Sequence, residues 1–357
     1  MEHALKKIND NFKSVVSTPK NMACWAANIP MKPEYLVYMV TDRCNSRCMH
    51  CKIWQQQPVN KPLTPDELNN ILRDPLFENV KYILGTGGEP VVRKDIKEIM
   101  LAIHDALPDT KLQLSTNGLL PDRVLDVVNT LMKHNVNMEV GVSLDGVGDV
   151  HDRLRGVKGN FEKTDYLLRE LVRLKKIHNG KLTIGAGIVV SEFTTDHINE
   201  ARDYAKKIGI DLQEQWYNMA SFYNDITHGC DTALKQKMVD IVSSQRPSTT
   251  QEKWLKWLNN ESIKFPCFAV NNFCVLKCNG DMVPCLTKWD AKIGNAREHN
   301  PTEIWNSLQA KKVRKIVQKC PGCLNSWGLG WSLEKAGHVR LSYFLRHPGV
   351  SLKRLTN

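Results

Sequence analysis

From residue 35 onward, short apolar runs alternate with longer stretches in which apolar positions recur every three or four residues. A strand buried on both faces needs the first pattern. A helix with one face in the core needs the second. Tyr35 to Thr41 reads as the first strand. Thr64-Pro65-Asp66-Glu67 opens a helix, with Thr64 as N-cap, proline at the first helical position and Glu67 placed to complete a capping box. Further strands are predicted from Lys81 to Leu84, Lys111 to Thr116, Met138 to Leu144, Leu182 to Val190 and Asp211 to Tyr217. The intervening helices are predicted from Asp95 to Leu107, Pro121 to His134, Phe161 to His178 and His197 to Ile208.

Strand–helix repeats of this size imply parallel strands joined by crossovers of one hand. Six units rather than eight predict an α/β fold, an open partial (β/α)6 barrel. After Tyr217 the alternation stops. Asp231 to Ser244 reads as a helix and Gln245 to Thr250 as a loop. Trp254 and Trp257 share one face of a short helix, where packing accounts for them. From Phe265 the chain is rich in cysteine. The predicted organisation is an N-terminal extension (1–34), the barrel (35–218), a helical linker (219–264), a small cysteine-rich domain (265–326) and a basic tail (327–357).

Composition narrows the function. At 357 residues and 42% hydrophobic, the chain can bury one large core and a small one. No stretch reaches the roughly 18 apolar residues of a membrane span, and Met1 to Lys20 has no apolar segment of the secretory kind, so a cytoplasmic location is expected. Eleven cysteines without an export signal point to reduced thiols and metal ligation. The formal charge is +11, but the basic residues are spread over helices with no dense basic run interleaved with aromatics. A solvated surface explains them as well as a partner does, and no nucleic-acid partner is expected. The stretch from Arg340 to Arg354 encloses Tyr343, Phe344 and Leu345, and offers at most a weak contact with a membrane surface.

The most informative residues are Cys44, Cys48 and Cys51, in C-x3-C-x2-C spacing directly after the first strand. Three thiolates on one loop can hold three irons of a [4Fe–4S] cube and leave the fourth open. A zinc site is the alternative, although zinc usually takes four ligands in C-x2-C pairs. The spacing, with His50 just before the last cysteine, resembles the radical S-adenosylmethionine (SAM) family. That resemblance implies that SAM chelates the open iron and is cleaved to a 5′-deoxyadenosyl radical. The family fold is also a partial barrel, with its site at the strand ends.

Other motifs fall just after the strands and carry the same resemblance. Gly87-Gly88-Glu89-Pro90 follows the second strand, where glycine lets backbone approach a ligand closely. In the family this element holds the amino group of the methionine moiety. The resemblance gives Asn117, in Ser115-Thr116-Asn117-Gly118, a place beside SAM. It gives Ser143 a hydrogen bond to the ribose or the carboxylate, while Asp145 could serve the turn alone. It puts the segment around Val189 near the adenine. His151-Asp152-Arg153-Leu154-Arg155-Gly156 looks like the family loop whose last arginine meets the SAM carboxylate, a task that suits the paired donors of Arg155. One set of Gln213, Gln215 and Tyr217 against Glu214 and Trp216 faces the interior, but the pattern does not decide which.

A second group comprises Cys267, Cys274, Cys278, Cys285, Cys320 and Cys323. Cys320-Pro-Gly-Cys323 is a tight knuckle, and Asn279-Gly280 is a hairpin turn. The run from Cys267 to Cys323 resembles the SPASM and twitch domains of radical SAM enzymes. With no cysteine after Cys323, the resemblance favours one auxiliary [4Fe–4S] cluster on Cys267, Cys285, Cys320 and Cys323, an arrangement like that of a radical dehydrogenase of an aminocyclitol alcohol. A zinc knob on the same four residues is the alternative. Cys274 and Cys278 read as core thiols, as do the isolated Cys24 and Cys230.

The expected function is therefore radical SAM chemistry with two [4Fe–4S] clusters, SAM and an external electron donor such as flavodoxin or ferredoxin. The auxiliary cluster would relay an electron. Oxidation or epimerisation of a small sugar-like molecule is the first expectation. Maturation of a ribosomal peptide or protein is the second. A zinc protein that binds nucleic acid is the alternative from another class.

Overall fold

The computed structural model describes residues 18–58, 61–178, 180–216, 232–245, 248–320 and 326–336. Six parallel strands form in the predicted order: β1 (Tyr35–Thr41), β2 (Tyr82–Gly87), β3 (Lys111–Thr116), β4 (Met138–Ser143), β5 (Leu182–Val190) and β6 (Asp211–Trp216). The sheet runs β6-β5-β4-β3-β2-β1 and does not close. All seven residues of β1 are buried, as a central strand requires. β4 alternates instead: Met138, Val140 and Val142 pack outward, while Glu139, Gly141 and Ser143 line the interior.

The helices agree with the pattern to within a residue or two. Pro65–Leu72 has the predicted capping box, with both hydrogen bonds made. Two corrections concern local structure. The segment read as a loop around His151 is a helix, Asp149–Arg155, ended by Gly156 in the left-handed region. The loop predicted through Thr250 gives way earlier to the helix Thr249–Leu258, because Ser248 caps it with Gln251 in a second capping box. Trp254 is buried in a small core that this helix shares with Met238 and Val242 of the helix Thr232–Ser244.

The cysteine-rich region is not set apart from the barrel. Its first strand, β7 (Phe273–Leu276), pairs in parallel with β1, from Tyr35 against Phe273 to Tyr38 against Leu276. The predicted hairpin then carries the sheet on through β8 (Asp281–Val283) and β9 (Gly294–Asn295), giving nine strands in one sheet. Cys274 and Cys278 are buried in this core, and burial pushes their thiols up to about 12 and about 11. The far end of the barrel is covered by the helix Ser326–Lys335, whose Trp331 ring packs tilted against that of Tyr35 and whose Lys335 pairs with Glu34 at 2.6 Å.

Candidate radical site

The cysteine loop leaves β1 at the mouth of the barrel and is held on two sides. On one side lies the Gly87-Gly88-Glu89 backbone. Gly88 donates its N–H to the carbonyl of Thr41 at 2.7 Å, and Glu89 donates to that of Arg43 at 2.8 Å. A Cβ on Gly87 or Gly88 would lie 2.1 Å from a carbonyl oxygen of this loop. These glycines were expected to admit a ligand; the close approach that requires them here is to the cluster loop itself. On the other side the loop meets the end of the helix Asp149–Arg155. Arg47 and Met49 donate to the carbonyls of Arg155 (3.0 Å) and Leu154 (2.9 Å), which the helix end leaves unpaired. Ser46 Oγ donates to the Arg155 carbonyl at 2.9 Å and lies 3.2 Å from Cys48 Sγ.

Cys44, Cys48 and Cys51 open on one cavity, together with His50, Gly87, Gly88, Glu89, Asn117, Ser143, Arg155 and Val189, so every residue predicted around the first cluster and SAM borders it. Burial pushes the thiols of Cys44 and Cys51 up to about 11 and about 12, so ligation has to displace their protons. Among the described residues, no three Cys, His, Asp or Glu side chains close on a single metal ion. Three thiols spread around one cavity fit a larger, cube-shaped group bonded to soft sulfur.

Glu89 is buried, and burial raises its carboxyl to about 7. It accepts from Asn117 N at 2.6 Å and Thr116 Oγ1 at 2.9 Å, and so ties the β2 loop to the β3 loop. Asn117 Nδ2 donates to Asn45 Oδ1 at 2.8 Å and lies 3.8 Å from Cys44 Sγ. Sequence reasoning left Asp145 with a turn role. It is instead fully buried, with Oδ2 2.7 Å from Arg155 Nε and Oδ1 accepting from Val189 N at 3.1 Å. His50 Nε2 sits 3.9 Å from the same carboxylate, and burial lowers that imidazole to about 4, which keeps it neutral at pH 7. Arg155, expected to face a carboxylate of SAM, is ion-paired with Asp145 and donates Nη1 to Cys48 Sγ at 3.8 Å, with its remaining N–H groups still open to the cavity that it borders. The fixed spacing from Ser143 to Arg155 contained no sign of this pair, because the two residues meet only through the helix between them.

The register of β6 also becomes clear: Gln213 and Gln215 line the cavity, while Glu214 pairs outward with Arg202 at 2.6 Å. Tyr217 lies outside the described residues. Gln113 and Ser115 of β3 and Glu139 of β4 join the lining. Glu139 is held by Lys111 at 2.6 Å. These interior positions could have been found from strand alternation alone.

Of the second cysteine group, Cys267, Cys285 and Cys320 are half-buried, and Cys323 lies outside the described residues. The carbonyl of Cys267 accepts from Trp25 Nε1 at 2.8 Å, and Cys285 Sγ lies 3.0 Å from Thr287 Oγ1. Cys320 follows the helix Leu308–Gln318, its N–H bonded to the carbonyl of Val317.

Residues 38–205 match the radical SAM superfamily, and residues 267–324 match the SPASM iron–sulfur cluster-binding domain. A protein of Methanococcus vannielii described as "Probable GTP 3',8-cyclase" is 30% identical over 309 residues, covering 80% of this chain and 94% of its own. The chain belongs to the radical SAM superfamily. It is an enzyme of that family, whose radical SAM and SPASM domains bind [4Fe–4S] clusters and SAM. Fe-coproporphyrin III synthase of Methanosarcina barkeri is 24% identical over 81% of this chain and 78% of its own. The sporulation killing factor maturation protein SkfB of Bacillus subtilis is 21% identical over 81% of this chain and 68% of its own. Streptococcus suis SuiB, solved bound to its precursor peptide SuiA, shares the fold with a TM-score of 0.60 at 20% identity, over 83% of this chain and 70% of that one. No helix among the described residues is long and apolar enough to cross a membrane.

Proposed function

We propose that this enzyme is a radical SAM maturase that modifies a ribosomal peptide or protein. The observation that carries the reading is the character of the cavity. Its lining includes the side chains of Gln113, Gln213 and Gln215 and the hydroxyls of Ser115 and Ser143. A glutamine amide offers a donor and an acceptor together, which matches a peptide group. Among the described lining residues Arg155 is the one Lys or Arg, and Asp145 already neutralises it. A triphosphate or a polycarboxylate would enter with no counter-charge. The likeness to SkfB supports the same substrate class. Oxidation of a small sugar-like molecule, the first expectation from sequence, is the second reading, since the same uncharged polar lining suits hydroxyl groups.

In this reading Cys44, Cys48 and Cys51 hold the first cluster, and His50 of the same loop, Gly87, Gly88, Glu89, Asn117, Ser143, Arg155 and Val189 border SAM. The cluster and SAM together supply reductive cleavage of SAM to a 5′-deoxyadenosyl radical that removes a hydrogen atom from a substrate carbon. The chain's own part is to position and to shield. The glutamines orient a substrate amide, and the apolar outer face of β4 and the helices behind it keep water from the sheet side of the cavity. Cys267, Cys285, Cys320 and Cys323 are proposed to hold the auxiliary cluster, which with an external one-electron donor serves as electron partner.

The test uses the reduced, iron-reconstituted full chain. With SAM and a peptide labelled with deuterium at its Cα and side-chain carbons, deuterium is expected in 5′-deoxyadenosine. The variant with Cys44, Cys48 and Cys51 all changed to Ala should form no 5′-deoxyadenosine. Continued SAM cleavage by that variant would refute the cluster assignment. Deuterium transfer from labelled polyols but from no peptide would favour the second reading.

A further inference from the structure

Arg314 is buried on the helix Leu308–Gln318, which leads into Cys320. Among the described residues no carboxylate pairs with it; its donors go to neutral oxygens. Nε donates to Asn28 Oδ1 at 2.7 Å, and Nη1 to the carbonyls of Trp305 at 2.9 Å and Val270 at 3.3 Å. A guanidinium buried without a counter-charge is costly, so what it holds has to matter. Val270 lies in the turn just after Cys267 and donates its N–H to the carbonyl of Phe273 at 2.8 Å. It is fully buried, and its φ is 56°. A β-branched residue in that region is an outlier. Backbone of this kind persists only where its surroundings impose it, and it gathers at functional sites. Asn28 belongs to the segment that grips Cys267 from the other side. Its N–H bonds to the Trp25 carbonyl at 3.1 Å, and Trp25 Nε1 donates to the carbonyl of Cys267 at 2.8 Å. The Trp25 carbonyl also accepts from Gln318 Nε2, on the same helix as Arg314. One side chain thus joins the turn after Cys267, the segment that holds the Cys267 carbonyl and the helix that presents Cys320.

We propose that Arg314 is a positioning residue for the auxiliary cluster: it clamps Val270 in its left-handed turn and so fixes Cys267 relative to Cys320. A ligand set drawn from segments far apart in the chain needs such outer contacts to hold its sulfurs in place. The inference rests on the reading of Cys267, Cys285, Cys320 and Cys323 as auxiliary-cluster ligands.

Four variants test it in the full chain. Arg314→Gln shortens the side chain and takes the clamp away. Arg314→Lys keeps the charge with a single-point donor. Val270→Gly adopts the left-handed turn without strain, so it has no need of a clamp. The fourth joins Arg314→Gln to Val270→Gly. Each is measured after reconstitution for iron and sulfide per folded chain and for 5′-deoxyadenosine formed from SAM, and as apo protein for its melting temperature. Arg314→Gln should fall from about eight irons per chain toward about four, with SAM cleavage retained, because only the second site loses its cluster. Arg314→Lys should lie between it and wild type. In the Val270→Gly background, Arg314→Gln should remove less iron than it does in wild type, a non-additivity that marks the two residues as one device. Iron lost equally from both sites, in step with the melting temperature, would make Arg314 a packing residue and overturn the proposal. So would an equal loss of iron in the two backgrounds. If Arg314→Gln does not fold, Arg314→Lys takes its place in both backgrounds and is read by the same outcomes. Failure of the underlying reading looks different: Cys320→Ala with Cys323→Ala would keep all its iron.

Discussion

Glu89 holds a proton that the unfolded chain would release. Its folded carboxyl titrates at about 7 because it is buried, against an ordinary value of 4.5. Between those two pH values the native state binds more protons than the unfolded one, so this residue's contribution falls as pH rises, by on the order of 3 kcal/mol across the window. His50 and His151 act in the opposite sense. Burial lowers both to about 4 from 6.5, so the unfolded chain binds more protons between those values and their contribution grows as pH rises. In Glu89→Gln the falling limb disappears. The apo variant should gain stability relative to wild type as pH goes from 4.5 to 7, measured by urea unfolding at both ends. An equal pH dependence in the two proteins would mean that Glu89 is ionised throughout. At this scale the sequence showed which residue types gather at the strand ends, because the cysteines, Glu89, Asn117 and Ser143 belong to local motifs. It did not show the Asp145–Arg155 pair or the partners of Gly87 and Gly88. The glycines meet a loop far away in the chain, and Asp145 and Arg155, though near in sequence, meet only because the short helix between them turns the chain back.

The helix Asp149–Arg155 shows how an element can act on a loop it does not adjoin. Its C-terminal carbonyls receive the N–H groups of Arg47 and Met49, and Gly156 ends it at φ 68°. A Cβ at Gly156 would stand 2.4 Å from the Arg47 carbonyl. Gly156→Ala therefore meets strain and a clash together, and should cost more than ~1 kcal/mol. The shifted loop should lower the iron retained at the first site. Thr64→Ala is the matching control: it breaks a capping box for roughly 1 kcal/mol at a residue that does not line the cavity, and iron at the first site should be unchanged. Thermal melts and iron assays on both variants check this, and equal iron loss would mean that general destabilisation, not the loop, is responsible. The strands and most helices were legible because each has its own period. The helix Asp149–Arg155 was not, being only seven residues long and rich in charge.

For the molecule as a whole, two four-iron clusters predict about eight irons per chain. The Cys44, Cys48, Cys51 triple variant should keep about half of them, and Cys320→Ala with Cys323→Ala should keep the other half and still cleave SAM slowly without completing turnover. Full turnover by that second variant would show that the auxiliary site is structural only. The sequence marked the cysteine-rich region as a domain of its own because its composition changes near Phe265, yet composition says nothing about which strand a new hairpin joins. That hairpin joins β1, the same strand that feeds Cys44. A protein chemist who cuts this chain ahead of β7, hoping for a minimal SAM-cleaving fragment, would strip the barrel's first strand of a neighbour and leave a bare apolar edge, a template for sticking to other copies. The cysteine loop and the cysteine-rich region hang from one sheet, so neither can be cut away without exposing an edge of the other.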